Sequence, residues 1–281
     1  MSRSLPRPLV SILLSSLPLA AQEFAVKQLD ASPRHHEWVD VAAGARKVRC
    51  FVAFPEREEK VMAVVVIHEN RGLTDWVRSF CDQLAAAGHL AIAPDLLSQF
   101  DAAHADTASF ESSDAARKAI YQLDATQVRR DLDAVVEHSR TIPAANGRVA
   151  CVGFCWGGAR AFELATAERL GVACVFYGSP PEDPVLAAIR APVFGFYGRS
   201  DQRINATIEA TAARMKELGK RYEPEIYDDA GHAFMRQGDD PEATPALKAA
   251  HDRALQRLLE VLKGADQGTP AAAPAAEPTG K

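Results

Sequence analysis

The sequence predicts an α/β fold, a mostly parallel central sheet with helices on both faces. Three observations carry this. Strand-like and helix-like patterns alternate along the chain, and this repeated order implies parallel strands joined by helical crossovers. Val61 to Ile67 is continuously apolar, as expected of a strand buried on both faces. The run Val149 to Val152 passes through a glycine-rich turn into a helix-like stretch, Ala159 to Arg169.

In chain order, Val39 to Val41 and Lys47 to Phe54 suggest an antiparallel pair at the sheet edge, followed by the central run at Val61. A helix is expected from about Asp75 to Ala87, and a strand over Leu90 to Ala93. Asp114 to Leu123 and Thr126 to Arg140 read as helices ahead of the glycine-rich turn. Val172 to Tyr177, Val193 to Tyr197 and Tyr222 to Tyr227 are the later strands. Ala206 to Leu218 is the helix between the last two, and a final helix is expected over Pro245 to Leu262. No internal repeat is found.

The two ends differ from this body. Arg3 and Arg7 precede a short apolar stretch, Leu9 to Leu19, and then Ala20-Ala21-Gln22, so residues 1–21 read as a secretory signal peptide. The apolar run is too short, and too interrupted at Pro18, to span a bilayer. An exported protein, periplasmic or secreted, is expected, with no stable membrane insertion after the signal is removed. Residues 22–36 form an N-terminal extension, 37–263 a single domain, and 264–281 an Ala/Pro-rich tail expected to be disordered. The apolar fraction of 47% suits a globular chain, and a formal net charge of −5 offers no broad basic surface for nucleic acid. The oligomeric state is not legible; a monomer is one reading.

Gly153-Phe154-Cys155-Trp156-Gly157-Gly158 carries the chemistry. It has the strand, sharp turn and helix context of a nucleophile elbow, with cysteine in the place of serine. Small residues let the chain reverse and lift the central side chain above the sheet edge. The partial positive charge at the helix N-terminus is expected to favour the thiolate of Cys155. Asp201 follows the strand ending at Tyr197, and His232 follows the strand ending at Tyr227. Nucleophile, acid, histidine is the chain order of the α/β-hydrolase fold, and all three fall past strand ends, on one rim of the sheet. His232 would take the thiol proton and Asp201 would orient the imidazole. Asp228 and Asp229 are alternative acids, and His68, also at a strand end, is an alternative base.

Four segments, GFCWGG, VVVIHENRGL around Glu69, GRSD around Asp201 and GHAFMR around His232, together resemble the dienelactone hydrolases over roughly Glu37 to Lys263. That resemblance implies hydrolysis of small cyclic enol esters; an acyl-enzyme at Cys155 is expected, with no cofactor and no metal. It implies that Glu69 contacts the resting thiol and helps convert it to thiolate when substrate arrives. It further implies an oxyanion hole from the backbone N–H groups of Asn70 and Trp156. Two arginines, Arg236 and Arg117, would hold the carboxylate of the substrate, a small ester or lactone.

The remaining cysteines fit no zinc or C-x-x-C spacing. Cys151 and Cys174 read as core residues, while a Cys50 to Cys81 bridge stays open. Three functions follow: a lactone-cleaving cysteine hydrolase, a broader carboxylesterase or thioesterase of the same fold, and a binding module or redox sensor using a low-pKa Cys155.

Overall fold

The computed structural model describes residues 23–268. The signal peptide expected over residues 1–21 and most of the expected tail lie outside them. Eight strands form one sheet in the order β1-β2-β4-β3-β5-β6-β7-β8: β1 (His36–Ala43), β2 (Arg46–Ala53), β3 (Val61–Ile67), β4 (Leu90–Pro94), β5 (Ala145–Phe154), β6 (Leu170–Phe176), β7 (Val193–Gly198) and β8 (Tyr222–Tyr227). Only β2 runs against its neighbours, pairing antiparallel with β1 and β4. The fold is α/β, an α/β-hydrolase sheet covered on both faces.

β3 shows why the strand runs are apolar throughout. Met62, Val64 and Val66 enter the core on one face, and Val61, Ala63, Val65 and Ile67 the core on the other. The first core is closed by α1 (Glu23–Ala31), α2 (Asp75–Ala86) and α9 (Pro245–Asp266). The second is closed by α4 (Ala125–Thr141), α5 (Trp156–Leu164) and Met215 of α7 (Gln202–Glu217). The pair left open in the sequence, Cys50 and Cys81, falls on opposite sides of this division, and both thiols are free.

Several boundaries differ from expectation. The final helix runs four residues past Leu262, to Asp266, so residues 264–266 belong to α9 rather than to a disordered tail. The elbow helix starts at Trp156 and ends at Leu164, and the helix expected over Asp114 to Leu123 is α3 (Ser113–Ile120). Two short helices, α6 (Asp183–Ala188) and α8 (Phe234–Gly238), span too few residues to show a period, and α1 falls in the stretch read as an N-terminal extension. Just after α1, the chain is fastened to α2 through the buried Asp82 carboxylate. It accepts two hydrogen bonds from Arg34 and one from the Ser32 hydroxyl, and lies 2.8 Å from His36 Nε2. No helix among the described residues is long and apolar enough to cross a membrane.

Candidate active site

Cys155 stands between β5 and α5 with φ 55° and ψ −113°, a backbone conformation that L-residues avoid unless the surroundings impose it. The imposition is visible in its neighbours. A Cβ on Gly153 would lie 2.1 Å from Gly157 O, and one on Gly157 would lie 2.3 Å from His68 O. Only glycine lets β5, the turn and the end of β3 approach so closely.

Asp201 and His232 converge on this turn from the ends of β7 and β8. His232 Nε2 lies 3.0 Å from Cys155 Sγ, and His232 Nδ1 lies 2.5 Å from Asp201 Oδ2. With Nδ1–H donating to the buried carboxylate, Nε2 is left as an acceptor facing the thiol. A line of this kind can carry the thiol proton onto the imidazole and stabilise the resulting cation. Asp201 is also the N-cap of α7, its other oxygen facing the Ile204 N–H. The alternative acids stand apart: Asp228 is exposed and paired with Arg199, and Asp229 is exposed.

Glu69 is buried at the end of β3, but its carboxylate hydrogen bonds go elsewhere than to the resting thiol. Oε2 accepts from Arg236 Nε at 2.8 Å, and the Tyr177 hydroxyl makes a long contact of 3.4 Å to Oε1. Its influence on Cys155 is through charge. Burial, followed by the nearby Glu69 carboxylate, pushes the Cys155 thiol up to about 11. A hydrogen bond from the Trp156 backbone N–H and the charge of Arg203 act the other way without prevailing. Desolvation and the neighbouring Glu69 anion thus act against the thiolate that the helix N-terminus was expected to favour.

The two arginines part company. Arg236 reaches the site from α8 but is held in an ion pair with Glu69. Arg117 lies half-exposed on α3, paired with Asp114 one turn away at 3.4 Å. No contact joins it to the cysteine, histidine or glutamate among the described residues. Asn70 follows Glu69 in the loop after β3, its side-chain amide donating to the Tyr121 hydroxyl. No group of histidine, cysteine and carboxylate side chains among the described residues is arranged to hold a metal.

Two neighbours of the thiol escaped the motifs. Tyr177, buried with φ 41°, packs its ring 5.0 Å from that of His232. Its signal was the Tyr177-Gly178 step ending a strand beside the elbow, where a Cβ on Gly178 would lie 2.4 Å from Gly158 C. Arg203 sits in the first turn of α7, where a cation opposes the helix dipole, an unfavourable placement that could have flagged it.

The family model described as the dienelactone hydrolase family matches residues 48–265. A carboxymethylenebutenolidase of Cupriavidus pinatubonensis is 30% identical over 207 residues, covering 71% of this chain and 86% of that protein. Among solved structures, a Klebsiella pneumoniae chain assigned as a dienelactone hydrolase superposes with a TM-score of 0.72 at 23% identity, covering 82% of this chain and 98% of the other. A dienelactone hydrolase-like promiscuous phosphotriesterase from metagenomic libraries superposes with a TM-score of 0.67 at 24% identity, covering 82% and 98%. At these identities the superpositions show the shared fold.

Proposed function

The chain belongs to the dienelactone hydrolase family and is a hydrolase of ester or lactone bonds; from that premise we propose that it opens small lactones or enol esters through an acyl-enzyme at Cys155. The observation that carries this reading is the line of Cys155 Sγ, His232 Nε2 and Asp201 Oδ2, with separations of 3.0 and 2.5 Å.

In the proposed reaction, His232 Nε2 takes the thiol proton as Sγ attacks the carbonyl carbon. Negative charge gathers on the carbonyl oxygen, where the Asn70 and Trp156 N–H groups receive it. Collapse of the adduct breaks the ring C–O bond, and the leaving oxygen takes the proton from His232. That oxygen stays tethered within the acyl group. Water, deprotonated by His232, then attacks the thioester carbon and releases Cys155 as the thiol.

Glu69 and Arg236 connect binding to this step. A substrate carboxylate that draws the Arg236 guanidinium towards itself releases Glu69 from its ion pair, and a Glu69 carboxylate freed to turn away from the sulfur weakens the field that holds the thiol proton, easing its transfer to His232. The half-exposed position of Arg117 on α3 supports a role at the rim of the site at most.

A broader ester hydrolase is the second reading. It is favoured by the Arg236 guanidinium being already neutralised by Glu69, which leaves neutral esters at no disadvantage. A redox sensor built on a low-pKa thiol is disfavoured by a Cys155 thiol raised to about 11. The test compares anionic lactones, neutral lactones and simple aryl esters with the wild type and with Cys155→Ala. Turnover lost in Cys155→Ala for every substrate supports the acyl-enzyme, and a preference for anionic lactones supports the narrower substrate class. Turnover retained by Cys155→Ala refutes the reading.

A further inference from the structure

His68 lies at the end of β3 with no solvent exposure, yet it is not the histidine on the thiol. A buried imidazole needs a partner for each ring nitrogen, and both are present. The Leu96 backbone N–H faces Nε2 at 3.3 Å, so Nε2 must be the accepting nitrogen. Nδ1 therefore carries the proton and donates to the Glu69 carbonyl oxygen at 2.7 Å. The tautomer is assigned by its backbone neighbours, and burial, as the largest influence, holds the ring in its neutral form.

The Glu69 carbonyl belongs to the peptide unit that carries the Asn70 N–H. In a planar trans peptide the C=O and N–H point in opposite directions. Holding the oxygen through Nδ1–H therefore fixes the plane of that peptide and the direction of the Asn70 N–H. The face of the same imidazole lies nearly parallel to the Trp156 indole, with ring centroids 5.7 Å apart and an interplanar angle of 11°. Trp156 supplies the other backbone N–H. The backbone of His68 also meets the elbow directly, its carbonyl oxygen being the closest atom to a Cβ built on Gly157.

On the reading of Cys155 as an acyl-enzyme nucleophile, we propose that His68 is a positioning residue for the oxyanion hole. Its Nδ1–H sets the Glu69–Asn70 peptide and its ring face lies against Trp156, so that one neutral side chain holds in place the two segments that carry the donors. The Leu96 N–H, on the loop after β4, completes the brace from the neighbouring strand. An aimed donor acts only where negative charge develops, so the contribution belongs to the transition state of acyl transfer rather than to substrate binding or thiol reactivity.

This separates two reactions of the same sulfur. Ester cleavage builds charge on a carbonyl oxygen. Alkylation by iodoacetamide forms an S–C bond as iodide departs and needs no oxyanion hole. His68→Leu should lower kcat for an aryl ester by about 10- to 100-fold with KM little changed, since loss of a whole oxyanion donor typically costs 100- to 1,000-fold. The rate of Cys155 alkylation should stay close to that of the wild type. His68→Asn, whose amide can donate near the Nδ1 position, should recover about tenfold of the loss.

A parallel loss of hydrolysis and alkylation in His68→Leu would overturn the proposal in favour of general collapse of the site. Full hydrolysis in His68→Leu would also overturn it. Should His68→Leu not fold, His68→Asn is compared with His68→Gln, whose longer amide reaches the Nε2 position and leaves the Glu69 oxygen without its donor. Asn faster than Gln in hydrolysis, at equal alkylation rates, supports the proposal; equal hydrolysis rates refute it. Cys155→Ala runs alongside. If it keeps turnover, the acyl-enzyme reading falls and takes the His68 role with it, whereas unchanged His68 variants beside an inactive Cys155→Ala remove the His68 role alone.

Discussion

Glu69 and Arg236, 167 residues apart in the chain, form a largely buried ion pair at 2.8 Å beside Cys155. The pair joins an anion that, after burial, raises the thiol pKa to the cation proposed to meet a substrate anion. Arg236→Met should reduce kcat/KM for a carboxylate-bearing lactone more than for its neutral methyl ester, by about 1.5 to 3 kcal/mol if one charged hydrogen bond is lost. Steady-state kinetics on the two substrates measure the difference. Equal losses would mean that Arg236 serves only to hold Glu69.

Labelling should single out Cys155. The other four cysteines are fully buried, and burial raises every one of their thiols. Because Cys155 itself lies at about 11, its alkylation by iodoacetamide should climb with pH without a plateau below about pH 10. Glu69→Gln removes an anion that raises the thiol pKa, so labelling at pH 8 should accelerate, about tenfold for each unit of lowering. Peptide mapping across a pH series reads both outcomes. Slower labelling in Glu69→Gln would contradict this electrostatic account.

Asp201→Asn should leave the protein folded while lowering kcat by about 10⁴-fold, because the amide can hold the wrong imidazole tautomer. Asp228→Asn and Asp229→Asn should remain near wild type, since both carboxylates face solvent. The amide still caps α7, so unfolding should shift by less than about 1 kcal/mol. Comparing turnover and denaturation in the three variants checks the choice of acid.

Gly157→Ala tests the close approach of elbow and β3. The added Cβ would fall 2.3 Å from His68 O and 2.4 Å from Ile67 O, and neither backbone atom can yield without moving the strand end. Activity should fall and the urea midpoint should drop, the mutation costing about 1 to 3 kcal/mol as overpacking does. A fully active, fully stable Gly157→Ala would show that the turn tolerates expansion.

Alkaline pH should destabilise the fold through the same buried thiols. Each folded-state thiol ionises above its ordinary value of 9.0, with Cys155 at about 11 and Cys174 at about 12. From about pH 9 upwards the unfolded chain therefore loses protons that the folded chain keeps. The stabilisation is complete below pH 9 and declines as pH rises towards the folded values, by about 1 kcal/mol per thiol at the first unit. Urea unfolding at pH 8 and pH 10 measures it, and equal midpoints would rule it out.

Much of this architecture was legible because its signals are local. Val61 to Ile67 is apolar at every position because both of its faces meet a core, and Gly153 to Gly158 carries the turn chemistry of an elbow wherever it is folded. Cys155, Asp201 and His232 could be placed on one rim because each follows a strand that is recognisable by itself. Short helices such as α6 and α8 span too few turns to leave a period.

The sequence by itself determined the chain order of cysteine, aspartate and histidine, the cysteine at the elbow and the family to which these motifs belong. Tertiary structure decided which charges surround that cysteine, that Asp201 rather than Asp228 or Asp229 meets His232, the partner of Arg236 and the separation of Cys50 from Cys81. The physical reason is range. Hydrophobic period and turn geometry are set by residues within a few positions of each other, whereas a pKa or an ion pair sums fields and desolvation from groups that only the packed fold brings within a few ångströms.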